Sequence, residues 1–209
     1  MAVGAAVQRT KRRQTREETR RQILDAALEF LREHPFRELS AEALMTRTGH
    51  TRTVFYRHFD DIPALVLALI GEIGGELVEF SAEWGQVEHI SPAVARERLS
   101  HYVDFYARNG PLVRAVMEAR HHDERIEQAY DGLVETFIEL TAQALQLRID
   151  SGALEPMDAP EVSRALIWML NGYLADRLGG SEQADPERVL EAIWTIWTRT
   201  LFPSGTRPR

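Results

Sequence analysis

Two short helices separated by a glycine-centred turn are the feature that most constrains this sequence. The stretch from Leu39 to Phe59 reads LSAEALMTRTGHTRTVFYRHF. Ser40 carries the side-chain oxygen that suits a helix N-cap, and Gly49 tolerates the left-handed conformation found just after a helix end. Thr51 then opens a second short helix. This arrangement predicts a helix-turn-helix, in which the second helix can lie in the major groove of DNA.

The distribution of charge favours DNA binding by this end of the chain. Residues 1–60 contain 12 lysine and arginine residues against 8 aspartate and glutamate residues, a net charge of +4. Residues 61–209 contain 13 against 24, a net charge of −11, and the whole chain carries −7. A basic segment joined to an acidic remainder is expected when one small module meets phosphates.

The rest of the sequence predicts helices alone. Apolar residues recur at steps of three and four, and no segment alternates with period two for long enough to form a strand. We predict an all-α fold of about nine helices, with Asn109-Gly110-Pro111 separating the fifth from the sixth. Residues 1–14 are predicted to be a disordered basic arm, residues 15–60 a helix-turn-helix domain of three helices, and residues 61–209 a helical bundle.

Bulk properties exclude several classes of protein. The chain contains no uninterrupted apolar stretch of about 18 residues, so we expect no membrane span. The beginning, MAVGAAVQRTKRRQ, places a brief apolar run before the charges, which is the opposite of a secretion signal, so we expect a cytoplasmic protein. The absence of cysteine excludes disulfides, thiolate zinc sites and cysteine nucleophiles. We predict no cofactor and no metal site.

The last two predicted helices are apolar on more than one face, and such helices must be buried on more than one face. We predict that a second copy of the chain covers one of these faces, giving a two-fold homodimer with a four-helix interface. The alternative is that both helices lie in the core of a monomer. The predicted interface residues are Leu166, Leu170, Leu174, Leu178, Trp194, Trp197 and Leu201.

With these elements placed, the sequence resembles the TetR family of one-component transcriptional regulators. The resemblance is carried by Leu39–Leu65, and the spacing Gly-x-[Ser/Thr]-Arg-x-x-[Phe/Leu]-Tyr-x-[His/Tyr]-Phe is fulfilled from Gly49 to Phe59. The order of the later helices resembles the EthR-like members. The resemblance implies a DNA-binding domain followed by a helical domain for ligand binding and dimerisation.

Two positions depart from the family pattern. Met45 stands where a small residue normally lets the second and third helices approach closely. Asp60-Asp61-Ile62 replaces a common Pro-Ser-Lys and removes a cation that often meets a phosphate. These carboxylates help to cap the fourth helix but repel phosphates, so we do not carry over a phosphate contact at this position.

The candidate DNA contacts combine cations with hydroxyl groups. Arg52 is our choice for a base contact, because a guanidinium pairs bidentately with guanine, and Thr53 is expected to touch a thymine methyl or a phosphate. Arg12 and Arg13 are predicted to reach the minor groove from the basic arm. The alternative for each arginine is a solvated surface charge. The predicted phosphate contacts are Thr46, Arg47, Thr51, Tyr56, Arg57 and His58.

Large apolar side chains accumulate in the second part of the chain and suggest a ligand site. An apolar pocket with one convergent amide is typical of a small-molecule site, and Asn171 supplies such an amide. The alternative is that these side chains fill the core and that Asn171 bonds to a neighbouring helix. The candidate lining residues are Phe80, Trp84, Tyr102, Phe105, Tyr106, Met117, Phe137, Trp168 and Asn171.

An enzyme is the competing functional class. Glu118-x-x-His121 has the spacing that di-iron helical bundles use, but those sites need a second such motif and the sequence has none. We therefore predict a homodimeric regulator that binds an inverted-repeat DNA operator and is released by a small, mainly apolar effector. A metal-dependent enzyme using Glu118 and His121, or an activator of transcription, remains the alternative.

Overall fold

The computed structural model describes the backbone of residues 2–82, 91–180 and 182–202. Side chains are described from residue 15 onward within these ranges, except at residues 76 and 79–82. The described residues form helices and no strand, which confirms the predicted all-α class. None of these helices has the length and the apolar character that a membrane span requires.

The described chain contains eight α-helices and one turn of 3-10 helix. The 3-10 turn at Phe36–Glu38 follows Pro35, which ends the first helix. The α-helices are α1 Ala2–Glu33, α2 Ala41–Thr48, α3 Arg52–Phe55, α4 Ile62–Ala82, α5 Pro92–Ala119, α6 Glu124–Asp150, α7 Ala159–Leu178 and α8 Pro186–Leu201.

The chain divides into two compact units, Met1–Leu69 and Ile70–Arg209. We expected the boundary at residue 60, but it falls inside α4. The first two turns of α4 bury Leu65, Val66 and Leu69, and these turns belong to the first unit. Apolar burial thus places the boundary later than the end of the helix-turn-helix motif.

Residues 1–14 were expected to form a disordered arm, but α1 begins at Ala2. No proline occurs before Pro35, and the segment is rich in alanine, glutamine, lysine and arginine, all of which favour helix. The periodic apolar pattern that revealed α1 begins only at Ile23, so it did not indicate this extension. The predicted minor-groove contacts Arg12 and Arg13 have side chains outside the described set.

The predicted break at Asn109-Gly110-Pro111 is wrong, because α5 continues through Pro111. Proline has no amide hydrogen, so the Ala107 carbonyl four residues earlier lacks its usual helical donor. The side-chain amide of Gln183 donates to this carbonyl at 3.2 Å and to the Leu178 carbonyl at 2.8 Å. Gln183, which lies 72 residues after Pro111 in the sequence, thus replaces the hydrogen bond that the proline cannot make. This replacement stabilises a single long helix.

Gly110 lets α5 approach the end of α7 closely. A Cβ atom at this position would lie 2.4 Å from the Leu178 carbonyl oxygen and 3.0 Å from the Gly179 Cα. Both neighbours are backbone atoms, which cannot rotate away as the end of a side chain can. Glycine is therefore required here because any side chain would clash with the neighbouring backbone, and not because of its φ and ψ angles.

The burial of α7 and α8 corrects the predicted dimer interface. Within the single chain, α5 packs against both helices and α6 packs against α7. These contacts cover the leucine rows from which the interface was inferred. The buried members of the predicted set are Leu166, Leu170, Leu174, Leu178, Trp197 and Leu201, whereas Trp194 is half-buried. The side chains that these helices do leave exposed include Trp168 and Ile196.

Replacing Gly110 by alanine should destabilise the second unit strongly. The added methyl group must push two backbone segments apart, and overpacking of this kind costs about 3 kcal/mol or more where nothing can move aside. The change is measured as a shift in the urea midpoint of unfolding.

Gly132→Ala is the matched control. Gly132 also lies inside a helix, but a Cβ there meets no atom within 4 Å. Alanine should stabilise α6 by about 0.5–1 kcal/mol through its higher helix propensity. Equal effects of the two substitutions would show that the approach of α5 to α7 does not require glycine.

Candidate functional site

The first two elements of the predicted helix-turn-helix have the expected caps. The Ser40 hydroxyl accepts a hydrogen bond from the Ala43 amide at 3.2 Å. Gly49 ends α2 in the left-handed region, with φ of 70°. Thr51 occupies the N-cap position of α3, but its side chain makes no capping hydrogen bond. The hydroxyl of this exposed threonine is therefore not used to hold the helix.

Two buried aromatic rings hold α3 against the first unit. Phe55 and Phe59 are almost fully buried, with ring centroids 5.7 Å apart. The helix itself is only four residues long, and Tyr56 caps its end. The aromatic anchors leave the polar side of this segment exposed, namely Thr51, Arg52, Thr53, Tyr56 and Arg57.

Arg52 and Tyr56 form a pair one helical turn apart on this exposed side. The hydrogen bond between the guanidinium and the Tyr56 side chain raises the pKa of Arg52 above its ordinary value. The Arg52 guanidinium and the Tyr56 side chain are therefore neighbours on the exposed side of this segment.

A cluster of cations surrounds His58. The Arg16 guanidinium donates to the Arg57 carbonyl at 3.5 Å, and the Arg20 guanidinium lies 5.1 Å from the centre of the Phe59 ring. Burial, followed by the charges of Arg16, Arg20 and Arg57, lowers the pKa of His58 below its usual value. Arg20 was not predicted, because its sequence position in α1 gives no sign of its proximity to α3.

The end of α2 is held by contacts within the chain. Arg47 pairs with Glu33 at 2.5 Å, and its guanidinium lies 5.2 Å from the centre of the Phe30 ring. This pairing lowers the pKa of the Glu33 carboxyl. Thr46 donates to the Glu42 carbonyl of the preceding turn at 2.9 Å. Arg47 therefore joins α2 to α1, and its predicted phosphate contact stays a prediction.

The acidic start of α4 acts as a helix cap. The Asp61 carboxylate accepts a hydrogen bond from the Ala64 amide at 2.8 Å, while Asp60 is exposed. The capping role inferred for these carboxylates is confirmed at Asp61. Two negative charges at this position make the start of α4 a poor place for a phosphate.

The second unit contains an apolar cavity. The volume that the centre of a water-sized sphere can occupy inside this cavity is about 40 Å³. A single water needs roughly 10–15 Å³ by this measure, so the cavity admits a small, compact molecule. Larger ligands require the walls to move. The walls are formed by Ile70, Ile73, Leu77, Tyr102, Phe105, Tyr106, Val113, Val116, Tyr130, Leu133, Val134, Phe137 and Asn171.

Five of the predicted ligand-site residues share this cavity: Tyr102, Phe105, Tyr106, Phe137 and Asn171. Met117 does not line it, and Trp168 is 39% exposed on the outer side of α7. The side chains of Phe80 and Trp84 lie outside the described residues. The prediction favoured large aromatic residues and therefore missed the aliphatic walls and Tyr130, which only the packing of the helices identifies.

A second, smaller cavity adjoins the same aromatic residues. It offers about 20 Å³ to the centre of a water-sized sphere, and Tyr102 and Phe137 line it as well as the larger cavity. These two rings meet edge to face, with centroids 6.2 Å apart. Tyr102 and Phe137 therefore belong to the walls of both cavities.

One polar pair on the wall of the larger cavity is satisfied within the chain. The Tyr106 hydroxyl donates to the Asn171 amide oxygen at 3.0 Å, and both side chains are buried. Burial raises the pKa of Tyr106 far above its usual value, so the phenol stays neutral. The predicted buried amide has thus found a helix-helix hydrogen bond, which was the alternative to a ligand contact.

The residues suggested for a metal-dependent enzyme do not form a site. Helix α5 ends at Ala119, so Glu118 and His121 do not share a helical face, and His121 is exposed. In the part of the chain that the structure describes, no three histidine, aspartate or glutamate side chains are close enough together to hold a metal ion.

Solved structures of bacterial regulators have the same fold. SmeT, the repressor of the multidrug efflux pump SmeDEF of Stenotrophomonas maltophilia, superposes with a TM-score of 0.68 at 22% identity, covering 91% of this chain and 96% of that one. The fatty acid degradation regulator FadR of Bacillus halodurans gives 0.72 at 14% identity, covering 91% and 97%. A TetR-family regulator of Pectobacterium atrosepticum gives 0.64 at 19% identity, covering 94% and 99%.

Family models match both parts of the chain. Residues 23–69 match the model described as bacterial regulatory proteins, tetR family. Residues 95–203, about half of the chain, match the model described as transcriptional regulator EthR, C-terminal domain. The chain therefore belongs to the TetR family of transcriptional regulators, with a C-terminal domain of the EthR type, and it is not an enzyme.

Proposed function

We propose that this regulator is a cytoplasmic repressor, which binds an inverted-repeat operator as a homodimer and is released by a small, mainly apolar effector. The observation that carries the proposal is the polar surface of α3 beside the cations of α1. Rigid aromatic anchors hold that surface outward. A repressor is favoured over an activator because tight binding alone is enough to block a promoter.

Base recognition is assigned to the start of α3. Arg52 and Thr53 are exposed there, and the first residues of a recognition helix are those that reach base edges. Tyr56 lies beside Arg52 on the same exposed side of this segment. A bidentate contact from such a guanidinium to guanine supplies sequence discrimination.

Phosphate binding is assigned to the cation cluster around His58. Arg16, Arg20 and Arg57 repel one another and disfavour the charged form of His58. A phosphate that enters among Arg16, Arg20 and Arg57 accepts charge-assisted hydrogen bonds from their guanidinium groups. Thr51, Tyr56 and the backbone near α3 complete the contacts that position the domain on DNA.

Replacing Arg52 by alanine should weaken binding to the operator selectively. The loss of a bidentate base contact costs about 1–3 kcal/mol on the cognate sequence, and much less on random DNA. The measurement is a gel shift with the DNA flanking the regulator's own gene, compared with a random duplex at the same salt concentration.

Arg37→Ala is the control for loss of one exposed positive charge in the same unit. It should leave both affinities close to those of the unaltered protein. An equal loss on both DNAs for Arg52→Ala would reassign Arg52 to phosphate binding. Failure of the unaltered protein to shift any flanking DNA would argue against self-regulation through a nearby operator.

Affinity for the operator should rise as pH falls from about 8 to about 6. The pKa of His58 is lowered in the free protein, so this imidazole is neutral at pH 7. A phosphate beside it favours the charged form and raises its pKa, so complex formation takes up a proton. Low pH supplies that proton and strengthens the complex, as fluorescence anisotropy at several pH values would measure.

The His58→Gln variant should lose most of this pH dependence while still binding DNA. His34→Gln is the matched control, because that imidazole pairs with the Glu38 carboxylate at 3.4 Å and does not contribute to the pKa shift of His58. The same pH dependence in His58→Gln as in the unaltered protein would remove His58 from the phosphate site.

We place the dimer interface on the outer side of α7 and α8, and not on the leucine rows. Trp168 and Ile196 are 39% and 45% exposed in the single chain, and Ala165, Gly172 and Ala192 are exposed on the same two helices. Large apolar groups beside small ones suit close packing of helices from two copies.

Replacing Ile196 by glutamate should convert the dimer into monomers at micromolar concentration, because a buried unpaired carboxylate is costly. Leu147→Glu is the matched control, since Leu147 is similarly exposed, at 43%, but lies on α6. Sedimentation velocity of both variants tests the assignment. A dimer that survives Ile196→Glu and dissociates with Leu147→Glu would place the interface on α6.

Effector release is assigned to the larger cavity because α4 contributes to its wall. Ile70, Ile73 and Leu77 of α4 line the cavity, and the same helix begins in the first unit. A ligand larger than the present cavity must displace its walls, including these residues. Movement of α4 would change the spacing of two recognition helices, which must be about 34–36 Å to meet successive half-sites.

A further inference from the structure

The Tyr130 hydroxyl is a buried polar group without a hydrogen-bond partner among the described residues. Tyr130 lies on α6, is 5% exposed, and contributes to the wall of the larger cavity. Its hydroxyl oxygen is shielded from solvent, and no side chain or backbone group in the described part of the chain bonds to it. Native proteins leave few such groups unsatisfied, and each one calls for an explanation.

The neighbours of Tyr130 contact its ring but form no hydrogen bond with its hydroxyl group. The Arg120 guanidinium lies 4.9 Å from the centre of the ring, and it pairs with Asp131 at 3.0 Å. Burial raises the pKa of Tyr130 above its usual value, so the group is a neutral phenol and keeps its proton. A neutral phenol is a good hydrogen-bond donor to an oxygen or nitrogen acceptor.

The other walls define what kind of acceptor the cavity takes. Aliphatic and aromatic side chains form most of the lining, and Tyr106 already donates to Asn171. Arg120 is not part of the lining, and Asp131 offsets its charge. An anionic ligand would lose its hydration without meeting a cation on the wall, whereas a carbonyl group would not.

We propose that Tyr130 donates a hydrogen bond to the effector, and that it selects a compact, neutral, mainly apolar molecule carrying one carbonyl-type acceptor. This inference rests on the proposed function, in which the cavity is the effector site. It adds that a single residue of α6 discriminates between ligands of the same shape.

Two ligands of nearly equal shape test this assignment. Acetophenone and α-methylstyrene differ only in the exchange of a carbonyl oxygen for a methylene group. Calorimetric titration of the purified full-length protein should show about tenfold tighter binding of acetophenone, because the hydroxyl finds its partner only in that complex. In Tyr130→Phe the two ligands should bind within about twofold of each other.

Tyr173→Phe is the matched variant, since it removes the same hydroxyl from a tyrosine that does not line the cavity. It should retain the preference for acetophenone. Equal binding of the two ligands by the unaltered protein, or no binding of either at millimolar concentration, would overturn the proposal. Tighter binding of benzoate than of acetophenone would overturn the assignment to a neutral ligand.

A gel shift with operator DNA separates this proposal from the proposed function. If acetophenone binds through Tyr130 but leaves the DNA complex intact, the ligand assignment stands and the release mechanism fails. If ligands release DNA but do so equally with tyrosine or phenylalanine at position 130, the release mechanism stands and the role of Tyr130 fails.

Discussion

The close approach of α5 to the end of α7 supports much of the second unit. Gly110 permits the approach because no side chain separates it from the Leu178 carbonyl. Gln183 then bonds to both Leu178 and Ala107, so α5 continues through Pro111. Since α5 is continuous, Tyr102, Phe105 and Tyr106 from before the proline share one cavity with Val113 and Val116 from after it.

Hydrogen bonding separates the two tyrosines Tyr106 and Tyr130 on the wall of the larger cavity. Gln183 compensates the carbonyl that proline leaves open, and Tyr106 bonds to Asn171. Both hydrogen bonds join groups within the chain and stabilise contacts between its helices. Tyr130 lies on the same cavity wall, and its hydroxyl group has no hydrogen-bond partner among the described residues. A polar group without a partner in an apolar cavity favours ligand recognition.

The first unit uses charge in two different ways. Arg47 is neutralised by Glu33 and packs on Phe30, so it serves the fold. Arg16, Arg20 and Arg57 instead gather around His58, where their positive charges add to burial in lowering the pKa of that imidazole. The formal net charge of +4 over residues 1–60 therefore understates how strongly positive charge is concentrated near α3.

The sequence by itself determined the helical class and the caps at Ser40 and Gly49. These features depend on local spacing and on the conformational preferences of single residues. Tertiary structure alone decided that α5 passes through Pro111, that the leucine rows of α7 are internal, and that Tyr130 belongs to the cavity. Each of these depends on groups that are distant in the sequence. Whether a backbone carbonyl, an apolar helix face or a hydroxyl group finds a partner is decided by the residues that pack against it in the folded chain.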